Sequence, residues 1–145
     1  MPNWQFDAIC LGAELAAEVA ARFPSVRLFP VARAGGSTEP MAAQIVPCVT
    51  GGDWFDAREL RDRALARHGA AGAARPECEV WRWYPLPLAE LPPIRVELPS
   101  EALVAASPEW FGDGWQAFRQ LALRRPLAEL ISSASPRDVS VRPLT

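Results

Sequence analysis

Residues 13–31, AELAAEVAARFPSVRLFPV, place an amphipathic helix directly before a strand, and this order of elements decides the fold class. Leu15, Val19 and Phe23 recur at four-residue steps and line one side of the helix, while charged residues fall on the other side. Pro24 ends the helix, and the residues after it alternate in character, as in a strand with one partly wet face. A helix and a strand that each have one apolar face indicate an α+β domain.

The same patterns predict helices and strands along the rest of the chain. Helices are predicted at Leu11–Phe23, Trp54–Arg67 and Trp115–Arg125, and Pro126 either kinks the last of these or begins a new helix that ends near Ala134. Strands are predicted at Ser25–Val31, Met41–Thr50, Cys78–Leu86, Ile94–Leu98, Leu103–Ala106 and Val139–Leu144. The segment Ala34–Pro40 is predicted to be a loop. The predicted fold is a single α+β domain over residues 1–145, with a mixed or antiparallel sheet of about five strands covered by helices.

Two single residues refine this layout. Asp53 precedes the second helix and is predicted to cap it, because a carboxylate accepts hydrogen bonds from the free amides of the first helical turn. Pro47 interrupts an apolar, β-branched run and indicates a sheet edge or a bulge, since proline donates no hydrogen bond to a strand ladder.

Composition and charge limit the function classes. Half of the 145 residues are hydrophobic and the formal net charge is −2, with a pI near 5.4. A protein without a positive overall field is not expected to bind nucleic acid. All 15 basic residues are arginine, which is typical of a GC-rich bacterial genome.

The amino-terminal residues and the cysteines bear on the compartment. Met1 to Phe6 carry no cationic region before an apolar run, and no apolar run approaches the ~20 residues that span a bilayer. We therefore expect a cytoplasmic, soluble protein with no membrane partner. Cys10, Cys48 and Cys78 form no CxxC pair, and their odd number does not fit a disulfide framework or a zinc ribbon. They are predicted to be buried free thiols in a reducing compartment.

A tryptophan-dense segment, PEWFGDGW at residues 108–115, is the strongest candidate for a functional surface. Tryptophan and arginine are the residues most enriched at interaction hot spots, and Trp110, Trp115 and Arg119 would form one. Arg119 is expected to pair with Asp113 or Glu109. The alternative, that the tryptophans pack in the core, stays open. The candidate binding residues are Trp81, Trp83, Trp110, Asp113, Trp115 and Arg119, of which Trp81 and Trp83 are predicted to share one strand face.

Carboxylates beside Trp-Phe pairs allow a second interpretation. A hydrolase of glycans or esters would use paired carboxylates, and those next to the two Trp-Phe pairs are Asp53, Asp56, Glu109 and Asp113. Helix capping explains them more simply. His68 is predicted to be a solvated residue at the end of a helix. No catalytic residue, metal ligand or cofactor is predicted.

Four segments carry a resemblance to a known family: PSVRLFPV (24–31), WFDARELRD (54–62), AFRQLALRRPLAELI (117–131) and VSVRPL (139–144). In layout they resemble bacterial polymorphic-toxin immunity proteins of the myxobacterial type. Phe118 and Arg119 match the phenylalanine-arginine segment of that family. The chain lacks the paired cysteine motifs of the related double-CxxCG group. The resemblance implies a cytosolic protein that binds and neutralises a cognate toxin.

The sequence therefore predicts a non-catalytic protein-binding domain, with an immunity function as its most specific form. A carboxylate-dependent hydrolase is the alternative from a different class. A homodimer that uses the tryptophan surface is the third interpretation.

Overall fold

Helices and short strands alternate in the computed structural model of this chain, which describes residues 8–32, 35 and 40–144, apart from the Trp115 side chain. The α helices of these ranges are α1 (Ala13–Arg22), α2 (Ala57–His68) and α3 (Arg125–Ala134). The strands of the same ranges are β1 (Cys10–Gly12), β2 (Leu28–Val31), β3 (Ala42–Ile45), β4 (Cys48–Val49), β5 (Gly72–Ala74), β6 (Trp81–Trp83), β7 (Val104–Ala106), β8 (Trp110–Phe111) and β9 (Leu121–Leu123). The chain has an α+β fold, as its sequence predicts.

The strands form three sheets rather than one. An antiparallel sheet has the order β1-β3-β2, and two mixed sheets have the orders β4-β7-β9 and β5-β6-β8. In each mixed sheet one pair is parallel, β4 with β7 and β6 with β8. The prediction of a single sheet of about five strands was wrong, because breaks in the predicted strands let the pieces on either side pair in different sheets. Pro47 shows the cause: it separates β3 from β4 where one long strand was predicted.

The sheet β4-β7-β9 contributes to two hydrophobic clusters. Val104 belongs to one cluster and its neighbour Ala105 to the other, as expected when successive side chains of a strand point to opposite faces. The first cluster joins buried residues of α1 and α3 to β7, namely Ala16, Val19, Leu127, Ile131 and Val104. The second is rich in aromatics and contains Trp54, Phe55, Leu60, Leu86, Leu91, Ala105, Phe111, Phe118 and Ala122. The candidate functional residues lie around this aromatic cluster.

The helices α1 and α3 agree with the sequence prediction, whereas α2 begins later than predicted. Asp56 caps α2, since its Oδ1 accepts the backbone N–H of Glu59 at 2.8 Å. The prediction that Asp53 is the cap was wrong because Trp54 and Phe55 are not helical. They are buried in the preceding turn, where they fill the aromatic cluster.

Pro126 lies in the first turn of α3, so it begins a new helix. The predicted helix Trp115–Arg125 is absent. A 3₁₀ turn at Gly114–Gln116 is followed by extended chain that pairs with Phe111 at Phe118 and continues as β9. Phe118 and Ala122, both buried, are four residues apart, a spacing that puts them on one face of a strand as well as of a helix.

Several predicted strands are shorter or absent. Cys78–Leu86 is reduced to β6, while Ile94–Leu98 and Val139–Leu144 form no strand. Prolines in or beside the latter two limit the hydrogen bonds available to a ladder. The predicted loop Ala34–Pro40 falls outside the described residues except at its Gly35 and Pro40.

The structure also bears on the predictions about the cysteines and about membrane-spanning segments. The three cysteines are exposed, so the prediction that they are buried was wrong. Cys10 and Cys48 lie in short strands at sheet edges, and Cys78 lies in the turn between β5 and β6, so each position is open to water on one side. Among the helices of the described ranges, none combines the length and the apolar character needed to cross a membrane.

Candidate functional site

The register of the sheet β5-β6-β8 sorts the candidate residues between its two faces. Arg82 lies opposite Trp110, and Trp83 lies opposite Phe111. Phe111 is fully buried in the aromatic cluster, so the face that carries Trp83 and Phe111 is the inner one. Arg82 and Trp110 consequently share the outer face.

On the outer face, Trp110 is contacted by two guanidinium groups. The Arg119 guanidinium carbon lies 4.3 Å from the ring centroid, and that of Arg82 lies 5.8 Å from it. Cations within about 6 Å of an indole face are attracted by its negative π density. Both arginines are also partly buried, so water screens the contacts less than at a fully exposed site. We call the group Arg75, Arg82, Trp110, Asp113 and Arg119 the Trp110 surface.

Asp113 is the acidic residue of the Trp110 surface and a weakly bound counter-ion of Arg75 and Arg82. Its Oδ1 lies 3.7 Å from Arg75 Nε and 3.7 Å from Arg82 Nη1, and its side chain is 83% exposed. These distances are too long for hydrogen bonds. The same Oδ1 accepts the backbone N–H of Gly114 at 2.7 Å. Arg75 also lies 3.9 Å from Glu77, whose side chain is 74% exposed.

Two glycines hold this geometry. Gly112 has a φ of +75°, and a Cβ there would lie 2.6 Å from the carbonyl oxygen of Gln116, so the turn that places Asp113 requires glycine. Gly72 of β5 faces β6 so closely that a Cβ would collide with the carbonyl oxygen of Arg82. Gly72 thus allows β5 to approach the backbone of Arg82, and Gly112 allows the tight turn that contains Asp113.

The arginines of the Trp110 surface retain unused hydrogen-bond donors. Arg82 Nε, Arg82 Nη1 and Arg119 Nε are buried and have no hydrogen-bond partner. A buried donor left unpaired costs about 1–3 kcal/mol, more when it is charged. Such groups in a native structure call for an explanation, and an acceptor supplied by a ligand is one.

Glu109 points inward instead and organises the turn before α2. Its Oε1 accepts the backbone N–H groups of Trp54 at 2.6 Å and Phe55 at 3.1 Å. This contact joins the two Trp-Phe pairs of the chain, and the rings of Phe55 and Phe111 meet edge to face with centroids 6.0 Å apart. The other carboxylate oxygen, Oε2, is buried without a hydrogen-bond partner.

The predicted pairing of Arg119 was wrong. Its guanidinium stacks on Trp110, while the aspartate and glutamate expected to pair with it have other partners. Arg119 follows the extended Phe118, and this backbone geometry directs its side chain to the outer face beside β8.

Trp81 and Trp83 lie apart from the Trp110 surface. Their rings meet edge to face with centroids 5.5 Å apart, in agreement with the prediction that they share a face. Trp83 packs against the aromatic cluster, and Trp81 is 44% exposed. Trp83 also lines a depression of about 590 Å³ with residues of α2: Ala57, Arg58, Arg61 and Asp62. Trp115 lies in the 3₁₀ turn, and its side chain is outside the described part of the structure.

Three of the four carboxylates considered for hydrolysis, those of Asp56, Glu109 and Asp113, have structural partners. The hydrogen bond from the Glu59 amide, assisted by the Arg95 guanidinium 2.7 Å away, holds the pKa of the Asp56 carboxyl below its ordinary value. A general acid would need a raised pKa instead. Asp53 is exposed. Glu109 and Asp113 are engaged as described above.

His68 behaves as predicted. It is an exposed residue in the last turn of α2, and its Nε2–H donates to the carbonyl oxygen of Pro85 at 2.8 Å. Within the described ranges, no group of three His, Cys, Asp or Glu side chains is placed to hold a metal ion.

Arg75 and Arg82 belong to the site although sequence reasoning missed them. Arg82 stands between two tryptophans in a strand, and this alternation already places it on the face opposite theirs. Arg75 carried no such signal, because only the β5–β6 pairing brings it near Asp113. The chain matches no protein-family model, no curated protein and no solved structure.

Proposed function

We propose that this chain is a non-catalytic protein-binding domain that engages its partner through the Trp110 surface, as an immunity protein that neutralises a cognate bacterial toxin. The observation that carries the proposal is the position of Trp110 on the outer sheet face, with Arg119 4.3 Å and Arg82 5.8 Å from its ring. Tryptophan and arginine dominate hot spots because they combine large contact area with directional donors.

The burial of these side chains also favours recognition. Trp110 and Arg119 are partly buried, and the Arg82 side chain is only 15% exposed. Side chains held in place before binding lose little conformational entropy when a partner arrives. Catalysis has less support, because three of the four carboxylates that a hydrolase would use accept backbone amides or pair with arginines.

Site-specific photocrosslinking tests the proposal. Ala73 lies directly opposite Arg82 in the sheet and is exposed, so a benzoylphenylalanine there would contact anything bound to the Trp110 surface. Ala20, exposed on α1, provides the matched control position. In a lysate of the native host, we expect a single crosslinked protein from position 73, none from position 20, and loss of the product in Arg119→Gln.

The mass of the crosslinked product separates the interpretations. A product of twice the mass of this chain would indicate self-association and would overturn the proposal, as would equal labelling from positions 73 and 20. For the immunity function, the captured protein is expressed in a bacterial host with and without this chain. Growth that is arrested by the captured protein alone and restored by co-expression supports neutralisation, whereas unchanged growth contradicts it.

A further inference from the structure

We infer that the Trp110 surface binds a carboxylate of an acidic segment in the partner protein, and that Asp113 is an internal counter-ion which this carboxylate displaces. The inference rests on the proposed protein-binding function and specifies the chemistry of the partner.

The charge of the surface is the first argument. Arg82 and Arg119 contact the Trp110 ring and Arg75 lies beside Asp113, while Asp113 and Glu77 are the acidic groups paired with these arginines in the described part of the chain. The surface is therefore net positive on a chain whose formal net charge is −2. A local excess of cations on an acidic protein attracts an acidic group at short range, whereas the rest of the molecule repels a long polyanion.

The unused donors are the second argument. Asp113 supplies charge to Arg82 Nη1 across 3.7 Å but no hydrogen bond, and this nitrogen, Arg82 Nε and Arg119 Nε have no other hydrogen-bond partner. Guanidinium groups bind carboxylates through paired, charge-assisted hydrogen bonds of about 2.7–2.9 Å. A carboxylate that takes the place of Asp113 would supply an acceptor for Arg82 Nη1, which the free protein leaves unpaired.

The weak hold on Asp113 is the third argument. Its side chain is 83% exposed, and such exposed ion pairs contribute little because water and salt screen them. Its remaining contact is the hydrogen bond from the Gly114 amide. The ion pairs of Asp113 with Arg75 and Arg82 can therefore be lost at little cost, which leaves these arginines to an incoming group.

Fluorescence anisotropy with a labelled hexaglutamate peptide tests the inference at low salt, with hexaglutamine as the uncharged probe. Asp113→Asn removes the competing carboxylate and is expected to tighten hexaglutamate binding about 3-fold, in line with one exposed charge pair. Arg119→Gln is expected to weaken it at least ~5-fold. Asp62→Asn on α2 and Arg27→Gln beside β2 make the same changes in net charge at exposed positions elsewhere, and should bind within about 1.5-fold of the wild type.

Thermal unfolding of each variant establishes that it is folded before binding is measured. The inference is overturned if Asp113→Asn binds no more tightly than Asp62→Asn, if Arg119→Gln matches Arg27→Gln, or if hexaglutamine binds as well as hexaglutamate. It is also overturned if inorganic phosphate displaces the peptide while acetate at equal concentration does not, since the site would then be a phosphate site.

The two proposals fail in distinguishable ways. If crosslinking from position 73 captures a protein but hexaglutamate does not bind, the protein-binding function stands and the carboxylate inference falls. If position 73 captures nothing while hexaglutamate binds with the expected variant pattern, the carboxylate site stands and the protein-binding function falls.

Discussion

Replacing Glu109 by alanine is the most informative test of how the site is supported. The substitution removes the acceptor of two backbone N–H groups, those of Trp54 and Phe55, at 2.6 and 3.1 Å. Each hydrogen bond to a charged group contributes about 1.5–3 kcal/mol. Removal of the unpaired buried Oε2 offsets part of the loss. We expect the free energy of unfolding to fall by about 3 kcal/mol, which corresponds to a Tm lower by about 9 °C for a chain of this size.

Urea unfolding followed by tryptophan fluorescence measures this loss, because Trp54 is fully buried and reports directly on the affected turn. Glu109→Gln is the matched control. Its amide oxygen can accept the same two N–H groups, and its NH₂ replaces the oxygen that has no partner, so we expect a loss below about 1 kcal/mol. The reasoning is refuted if the alanine variant is within about 1 kcal/mol of the wild type, or if glutamine costs as much as alanine.

Three further substitutions test single contacts. Gly72→Ala should lower the free energy of unfolding by about 1–3 kcal/mol, because the new methyl group collides with the carbonyl oxygen of Arg82. An unchanged free energy in chemical denaturation would contradict this close contact between β5 and β6. Asp56→Ala should lower the Tm at neutral pH, whereas Asp53→Ala should leave it unchanged. Since the folded-state pKa of Asp56 lies below its ordinary value of 3.8, the Tm difference should be complete above that pH and disappear as the pH falls through the folded-state pKa, and a difference that grows in acid would contradict this cause. Trp110→Ala should cost about 2 kcal/mol in urea unfolding, less than a fully buried tryptophan, because the ring is only partly buried; a loss above about 4 kcal/mol would make it a core residue.

The elements that the sequence predicted well are those specified by a pattern within one continuous stretch of chain. The helices α1 and α3 have apolar residues at three- and four-residue steps and a proline at one end, and a single stretch of chain contains all of this information. The segment Trp115–Arg125 was misassigned because the spacing of Phe118 and Ala122 fits both periodicities. Pairing with residues 104–106 and Phe111 decided in favour of extended chain, and that pairing is not encoded locally.

The sequence likewise predicted the members of the candidate site that are close together in the chain, but not those that strand pairing brings to it. Trp110, Asp113 and Arg119 were identified because rare and charged residues cluster within ten positions. Arg82 and Arg75 join them only through parallel and antiparallel strand pairing. The inward role of Glu109 depends on contacts with a turn 54 and 55 residues away, which no local pattern reveals.

The extended chain from Phe118 to Leu123 pairs with strands of two different sheets, which fixes the backbone around Arg119. Phe118 exchanges two backbone hydrogen bonds of 2.9 Å with Phe111, and β9 pairs with β7 in the other sheet. The backbone on both sides of Arg119 is hydrogen-bonded, because the Phe118 amide donates to Phe111 and the Gln120 amide donates to the Ser107 hydroxyl, so these two amides should exchange with deuterium as slowly as those of β7. If the Trp110 surface binds a partner as proposed, substitutions in β7 that disturb its pairing with β9 should also weaken binding, so a genetic screen for lost recognition should return residues outside the contact surface.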